Sequence, residues 1–267
     1  MKIAVLGTGM VGRSLAGRFA ELGHEVTMGT RDPAQTRERG DEASDWLADH
    51  ANVGLATFAD AAAGSDLVVH AGNGQAALDV LGAAGADNLA GKVLIEVSNP
   101  LDFSAGFPPT MFVKDTDSLG EQVQRAFPEA RVVKTLNTLN ADLMAHPEVL
   151  GEPTTVFMSG DDEAAKEVVA GLLKSFGHAD VLDLGDISTA RGTEMYLPLW
   201  LRAMGAIGHA GAIQVHHLAG ETVLDAVHAL AGAHKAPLLP FGVGIIPQLD
   251  LSAVLGVVIL YFNNLAV

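Results

Sequence analysis

The chain has 267 residues, enough for one large domain or two modest ones, each able to bury a real hydrophobic core. Hydrophobic residues at 49% and charged residues at 18% describe a folded chain, and the absence of cysteine removes disulfides, iron–sulfur clusters, thiolate zinc sites and thiol nucleophiles. A formal net charge of −16 argues against nucleic acid and anionic lipid as partners.

The chain opens directly on the apolar run Ile3-Ala4-Val5-Leu6 and a glycine loop, which leaves no room for a secretory leader and predicts a cytoplasmic protein. Runs of strand length follow at residues 2–7, 25–30, 66–71, 92–97, 131–136, 154–159 and 179–184, separated by stretches of helical period. In the first of these helical stretches, residues 11–22, Val11, Leu15, Phe19 and Leu22 recur on one face; residues 118–127 begin with the capping-box pair Ser118 and Glu121. Several strands are continuously apolar, as expected when helices cover both faces of a parallel sheet. The pattern predicts an α/β fold: a Rossmann-like doubly wound, mostly parallel sheet of seven strands with a C-terminal helical region. Composition shifts near Gly208. All but four of the charged side chains lie in residues 1–208, which we read as the dinucleotide-binding domain, and residues 209–267 form a low-charge apolar tail. The most apolar part of that tail, residues 251–262, is shorter than the roughly 20 residues a membrane-spanning helix needs, so no span is expected. Five of the ten histidines fall in the tail without convergent ligand spacing, and no metal site is expected.

Gly7-Thr8-Gly9-Met10-Val11-Gly12 sits between the first strand and the first helix, the context in which a Gly-x-Gly-x-x-Gly pattern binds a dinucleotide. Gly7 serves the turn, Gly9 lets a diphosphate approach the backbone, and Gly12 lets the helix pack closely on the sheet; Thr8 is a further candidate phosphate contact. At the end of the second strand, where an NAD site carries Asp or Glu, the chain reads Gly29-Thr30-Arg31, a hydroxyl and a guanidinium suited to a 2′-phosphate. NADP is therefore the expected cofactor, with Asp32 as the one group able to neutralise Arg31. Ligands gather at strand ends in open α/β sheets, which adds Asn73, Gln75, Ser98, Asn99 and Pro100, and, after the fifth strand, Thr135, Asn137 and Thr138. Asn73-Gly74 also suits a plain turn, Asn99-Pro100 also suits an extended connector, and Asn137 also suits a cap. Residues 102–112 form either a lid or a connector. Lys134 either balances an anionic substrate or solvates a sheet edge, Arg191 and Glu194 are expected to pair with each other, and His70 is either an acid near the crevice or a structural histidine. The apolar helix around Trp200 is expected to form a dimer interface.

With the glycine loop and Gly29-Thr30-Arg31, the segments Ser98-Asn99-Pro100-Leu101, Lys134-Thr135-Leu136-Asn137, Ser159-Gly160-Asp161-Asp162 and Asp186-Ile187-Ser188-Thr189-Ala190-Arg191-Gly192-Thr193-Glu194-Met195 give residues 1–208 a resemblance to the NADP-dependent oxidoreductases related to coenzyme F420:NADP oxidoreductase, in particular their bacterial branch. The resemblance implies a single dinucleotide-binding fold, hydride exchange between NADPH and a deazaflavin (coenzyme F420), a homodimer, and an acceptor pocket at Asn137, Thr138 and Leu139. It departs from the archaeal members at Asn137, where they carry a histidine. No catalytic acid–base residue is expected, because hydride transfer between stacked rings asks the protein chiefly for distance and orientation. The competing expectations are a reductase of a small imine or keto substrate and a non-catalytic NADP sensor.

Overall fold

The computed structural model describes residues 1–208; the tail, its histidines and residues 251–262 lie outside the described residues. The chain runs through β1 (Lys2–Leu6), α1 (Met10–Glu21), β2 (Glu25–Thr30), α2 (Pro33–Glu38), α3 (Glu42–Asp49), β3 (Gly54–Thr57), α4 (Phe58–Ala63) and β4 (Leu67–His70). It continues with α5 (Ala77–Ala84), α6 (Ala86–Leu89), β5 (Val93–Glu96), the short strands β6 (Leu101–Asp102) and β7 (Thr110–Met111), α7 (Leu119–Ala126), β8 (Arg131–Thr135) and α8 (Ala141–Ala145). The described part ends with β9 (Thr155–Ser159), α9 (Glu163–Phe176), β10 (Asp180–Asp183), α10 (Ala190–Met195) and α11 (Leu197–Ile207).

Eight strands form one sheet in the order β10-β9-β8-β5-β4-β1-β2-β3. The two halves diverge from β1, which lies between β2 and β4 and pairs with both in parallel. This reversal of strand order opens a crevice at the C-terminal ends of the strands. The expected doubly wound sheet is present, with two differences. The edge strand β3, Gly54-Leu55-Ala56-Thr57, carries no strand signature because it starts on glycine and is mostly half-exposed. The second difference is that β9 runs antiparallel to β8.

Alternate residues of β1 explain why the strand reads as one apolar run. Ile3 and Val5 join a core with Leu15, Phe19 and Met28 on one face, whereas Ala4 and Leu6 join Phe58, Val68 and Leu81 on the other. Within α1, Leu15, Ala16 and Phe19 are buried as the helical period requires, but Leu22 is the C-terminal cap and is 37% exposed, so the buried face ends one turn earlier than expected. Side-chain caps start most of the other helices: Asp32, Asp41, Thr57, Ser118, Asn140 and Asp162 each accept a first-turn N–H. Such caps contribute about 1 kcal/mol apiece. Ser118 accepts from the Glu121 N–H as foreseen, but the Glu121 carboxylate returns to the Ser118 hydroxyl and not to its backbone. No helix among the described residues is long and apolar enough to cross a membrane.

Candidate cofactor and acceptor crevice

The glycine loop lies at the mouth of the crevice, and its three glycines answer to different constraints. Gly7 has φ +124°, donates its N–H to Gly29 O at 3.0 Å, and would place a Cβ 2.9 Å from Ala71 O. A Cβ on Gly12 would lie 2.2 Å from Gly7 O, so this position is closed to any side chain by backbone contact. A Cβ on Gly9 would meet nothing within 4 Å. Packing therefore explains Gly7 and Gly12 but not Gly9, whose open side borders the crevice, where a bound group would have to pass. Gly9 also caps α1 without a side-chain acceptor, and the first turn holds no acidic residue, so the leading N–H groups of a 12-residue helix face the loop.

Two contiguous cavities flank this loop, sharing Gly9, Ala71, Gly72 and Asn73. The smaller, about 350 Å³, is lined by Gly7, Thr8, Thr30, Arg31, Gln35, Thr36 and Arg39. Arg31 is exposed, and among the described residues its side chain makes no ion pair or hydrogen bond. Asp32, the group expected to compete for it, instead caps α2 by accepting from Gln35 N at 3.0 Å. Thr30 is arranged differently from the expectation. Thr36 Oγ1 donates to Asp32 O at 2.8 Å, so the 2.9 Å contact between the two hydroxyls is donated by Thr30. With its proton committed, Thr30 braces the turn and leaves Arg31 as the donor. Arg39, on the same wall, is held by Asp41 at 2.6 Å.

The larger cavity, about 600 Å³, takes Met10 and Val11 from the glycine loop and Ser98 and Asn99 from the loop after β5. Asn137, Thr138 and Leu139 after β8, and Leu197, Trp200 and Leu201 on α11, also line it. The two carboxamides lock each other: Asn99 Nδ2 donates to Asn137 O at 2.9 Å, and Asn137 Nδ2 donates to Asn99 Oδ1 at 3.0 Å and to Thr193 O at 3.1 Å. Leu136 sits just before Asn137 at φ +63°, a left-handed conformation that costs a non-glycine residue about 1–2 kcal/mol. Strain of that kind persists where the surrounding structure fixes it, here at a turn that presents Asn137 to the cavity. Asn73 borders both cavities, and its Oδ1 accepts from Gln75 N at 2.9 Å, the bond that the turn reading expects.

Three residues expected at the site line neither cavity: Gln75, Thr135 and Pro100. Gln75 is exposed and donates to Asp102 Oδ1 at 3.4 Å. Thr135 is fully buried and donates to Phe157 O at 2.6 Å, joining β8 to β9 without lining the cavity. Pro100 is also buried, and its carbonyl accepts from Phe112 N at 3.0 Å. The 102–112 segment starts at the end of β6 and closes on β7, which pairs with β6 in antiparallel fashion, and Phe103 from it lines the cavity. Trp200 is 8% exposed and packs with Leu197 and Leu201, and all three line the cavity, whereas Leu199 on the same helix is 50% exposed.

Under the loops lies a buried polar cluster that sequence reasoning missed. His70, Glu96 and Lys134 stand level at the ends of the adjacent strands β4, β5 and β8. Glu96 Oε1 accepts from Ser98 N at 2.9 Å, contacts His70 Nδ1 at 3.1 Å and also binds the Ser98 hydroxyl; Glu96 Oε2 binds Lys134. Lys134 Nζ also donates to Ser98 O and lies 2.9 Å from Glu194 Oε1. Burial opposes the charge on Glu96, but Lys134 and His70 outweigh it and hold the carboxyl down at about 2. Burial likewise opposes the charge on Lys134, and Glu96 and Glu194 hold its ammonium above the ordinary lysine value. Lys134 therefore neither solvates an edge nor waits for an anionic substrate. The expected Arg191–Glu194 pair is also absent. Arg191 donates to both oxygens of Glu121, while Glu194 turns inward and accepts from Leu119 N at 2.8 Å and Gly120 N at 3.1 Å at the start of α7. The available signal was a charged or polar residue closing each of three apolar strand runs in one register.

A doubly wound sheet with an open glycine turn, a guanidinium beyond β2 that is unpaired among the described residues and a second cavity at the other end defines a dinucleotide-binding fold. The family model for coenzyme F420-dependent NADP oxidoreductases matches residues 2–100. The F420-dependent NADP reductase of Methanothermobacter thermautotrophicus is 32% identical over 206 residues, covering 74% of this chain and 87% of the relative. The chain belongs to this coenzyme F420-dependent NADP oxidoreductase family. A crystal structure described as a candidate F420-dependent NADP-reductase from Arthrobacter sp. FB24 is 62% identical, with a TM-score of 0.77 over 79% of this chain and 96% of that one. Metalloreductase STEAP3 of Rattus norvegicus is 29% identical over 204 residues, and the chain spans 38% of its length.

Proposed function

We propose that the protein oxidises NADPH and passes the hydride to a deazaflavin or flavin-like ring. The observation that carries this reading is the continuity of the two cavities across Gly9: a guanidinium stands at one end and an amide-bearing, apolar cavity at the other. Arg31 holds the 2′-phosphate, the leading N–H groups of α1 hold the diphosphate, and the Asn99–Asn137 pair with Ser98 orients the nicotinamide end. NADPH, when bound, supplies the two electrons as hydride at its nicotinamide ring. The protein's part is to keep the two rings stacked and water displaced between Met10, Val11 and the α11 side chains. No titratable side chain among the described residues lines the larger cavity, and His70 is fully buried against Glu96, which disfavours keto or imine reduction requiring a positioned proton donor.

The test is NADPH oxidation, followed by absorbance, with deazaflavin and flavin acceptors. Turnover with NADPH and little with NADH is expected; tight NADPH binding with no turnover on any of these acceptors would refute the reaction. In Arg31→Ala, loss of the charge-assisted bonds should weaken NADPH binding about 10- to 100-fold and leave NADH binding unchanged within about twofold, as measured by calorimetric titration. An equal loss for both cofactors would remove Arg31 from the 2′-phosphate site.

A further inference from the structure

Every polar group of Ser98 is engaged by the buried cluster. Its N–H and hydroxyl go to Glu96 Oε1, and its carbonyl accepts from Lys134 Nζ. Ser98 borders the larger cavity, so the cluster holds the backbone of one cavity wall from behind. A second wall is tied to the same ammonium. Lys134 Nζ lies 2.9 Å from Glu194 Oε1 on α10, next to Thr193, whose carbonyl accepts from the cavity residue Asn137 at 3.1 Å. From α10 the chain passes through Tyr196 into α11, which brings Leu197, Trp200 and Leu201 to the cavity. Behind the floor, His70 Nδ1 contacts Glu96, and Nε2 stands 3.0 Å from where a Cβ on Gly72 would lie, backing a glycine that borders both cavities. Such a cluster is a poor source of stability, because taking the charges out of water offsets much of their attraction and apolar side chains of similar volume often serve as well. What it does supply is fixed direction: the ammonium has three donors, and Glu96 Oε2, Ser98 O and Glu194 Oε1 offer one acceptor for each.

We propose that Lys134 is a positioning residue for the hydride transfer, joining the wall that carries the nicotinamide to the wall that carries the acceptor and so setting the separation of the two rings. The inference rests on the proposed reaction and deepens it. Lys134 is 1% exposed and lines neither cavity, so it touches neither ring and acts only through Ser98 and Glu194. In Lys134→Met the three acceptors lose their common donor and the two walls can shift against each other. Each wall still binds its own ring, but the transfer distance is no longer held, and a misplacement of about 1 Å far from the chemistry is enough to cost about 100-fold in rate.

The experiment is single-turnover and steady-state oxidation of NADPH by coenzyme F420 on the full chain, for the parent and two variants, at temperatures where circular dichroism shows each one folded. In Lys134→Met, kcat should fall about 10- to 100-fold, while the NADPH Kd from calorimetry and the KM for F420 stay within about threefold. The primary isotope effect with NADPH deuterated at the transferred position should depend more steeply on temperature than in the parent, because a loosened pair of rings samples a wider range of distances. A purely structural role would move neither the split between kcat and KM nor the isotope effect. Glu96→Gln keeps an oxygen for Ser98 and His70 and withdraws only the bond to Lys134; it should lower kcat in the same sense, by about 3- to 10-fold, and it decides alone if Lys134→Met does not fold. A kcat within about twofold of the parent in the folded variants, or a rate loss matched by lost folded protein with an unchanged isotope effect, would overturn the positioning role. Absence of hydride transfer by the unaltered protein would overturn the proposed reaction and this inference with it, a pattern distinct from a parent that turns over and variants that match it.

Discussion

Replacing Gly9 and Gly12 singly by alanine should give two opposite failures from positions three residues apart. In Gly12→Ala the new methyl lies 2.2 Å from Gly7 O and 3.0 Å from Gly7 C, both backbone atoms that the β1–α1 turn holds in place. Relief requires lifting α1 from the sheet, so we expect a loss of about 3 kcal/mol or more and thermal unfolding well below that of the parent. In Gly9→Ala the backbone is extended, at φ −72° and ψ −178°, which alanine adopts freely, and no atom lies within 4 Å of the new methyl. The melting temperature should stay within about 2 °C, whereas the methyl enters the path of the diphosphate and should raise the NADPH dissociation constant at least about tenfold. Thermal denaturation and cofactor titration of the two purified variants check both halves. Unchanged NADPH affinity in Gly9→Ala would show that the diphosphate does not pass over this residue.

Lys134→Met should be the most damaging single change beneath the crevice, because it removes the cation shared by two buried carboxylates and leaves Glu96 with His70 and Ser98 and Glu194 with two backbone N–H groups as their remaining partners. Breaking a buried pair from one side costs about 3–5 kcal/mol. The pH dependence follows from the folded-state carboxyl. Glu96 titrates near 2 in the folded protein, below its unfolded value, so its contribution is fully present above the unfolded carboxylate range and is lost as pH falls toward 2. Without the Lys134 charge, burial raises the Glu96 carboxyl, and protonation then relieves the variant. Its stability deficit against the parent should therefore be largest at pH 7 to 8 and shrink near pH 4. Chemical denaturation across that range measures it, and a deficit that stays constant with pH would mean that the cluster stabilises through packing and not through charge.

Much of the site was readable from the chain because it depends on short-range backbone geometry. The strand–glycine–helix junction at residues 2–12 and the Thr30-Arg31 turn after β2 are local, and both border the smaller cavity, although Thr30 donates to Thr36. Asn99 and Asn137 were legible as candidates because strand ends collect ligands, but their mutual bonds join residues 38 apart and required the β5–β8 pairing. The same pairing hid the true environment of Lys134, which a linear reading leaves at a solvent edge. Arg191 and Glu194 failed for a related reason: helical spacing allows them to meet, but α7 packs against α10 and offers Glu121 to one and two unpaired N–H groups to the other. Edge strand β3 escaped notice because an exposed glycine followed by three half-exposed residues gives no period to read.

The proposed reaction depends on a single extended NADPH occupying both cavities and turning over Gly9. A crystal of the protein soaked in NADPH should show the 2′-phosphate at Arg31, the diphosphate against the first N–H groups of α1, and the nicotinamide among Ser98, Asn99 and Asn137. Cofactor bound elsewhere, or a crevice that stays empty at saturating NADPH, would contradict it.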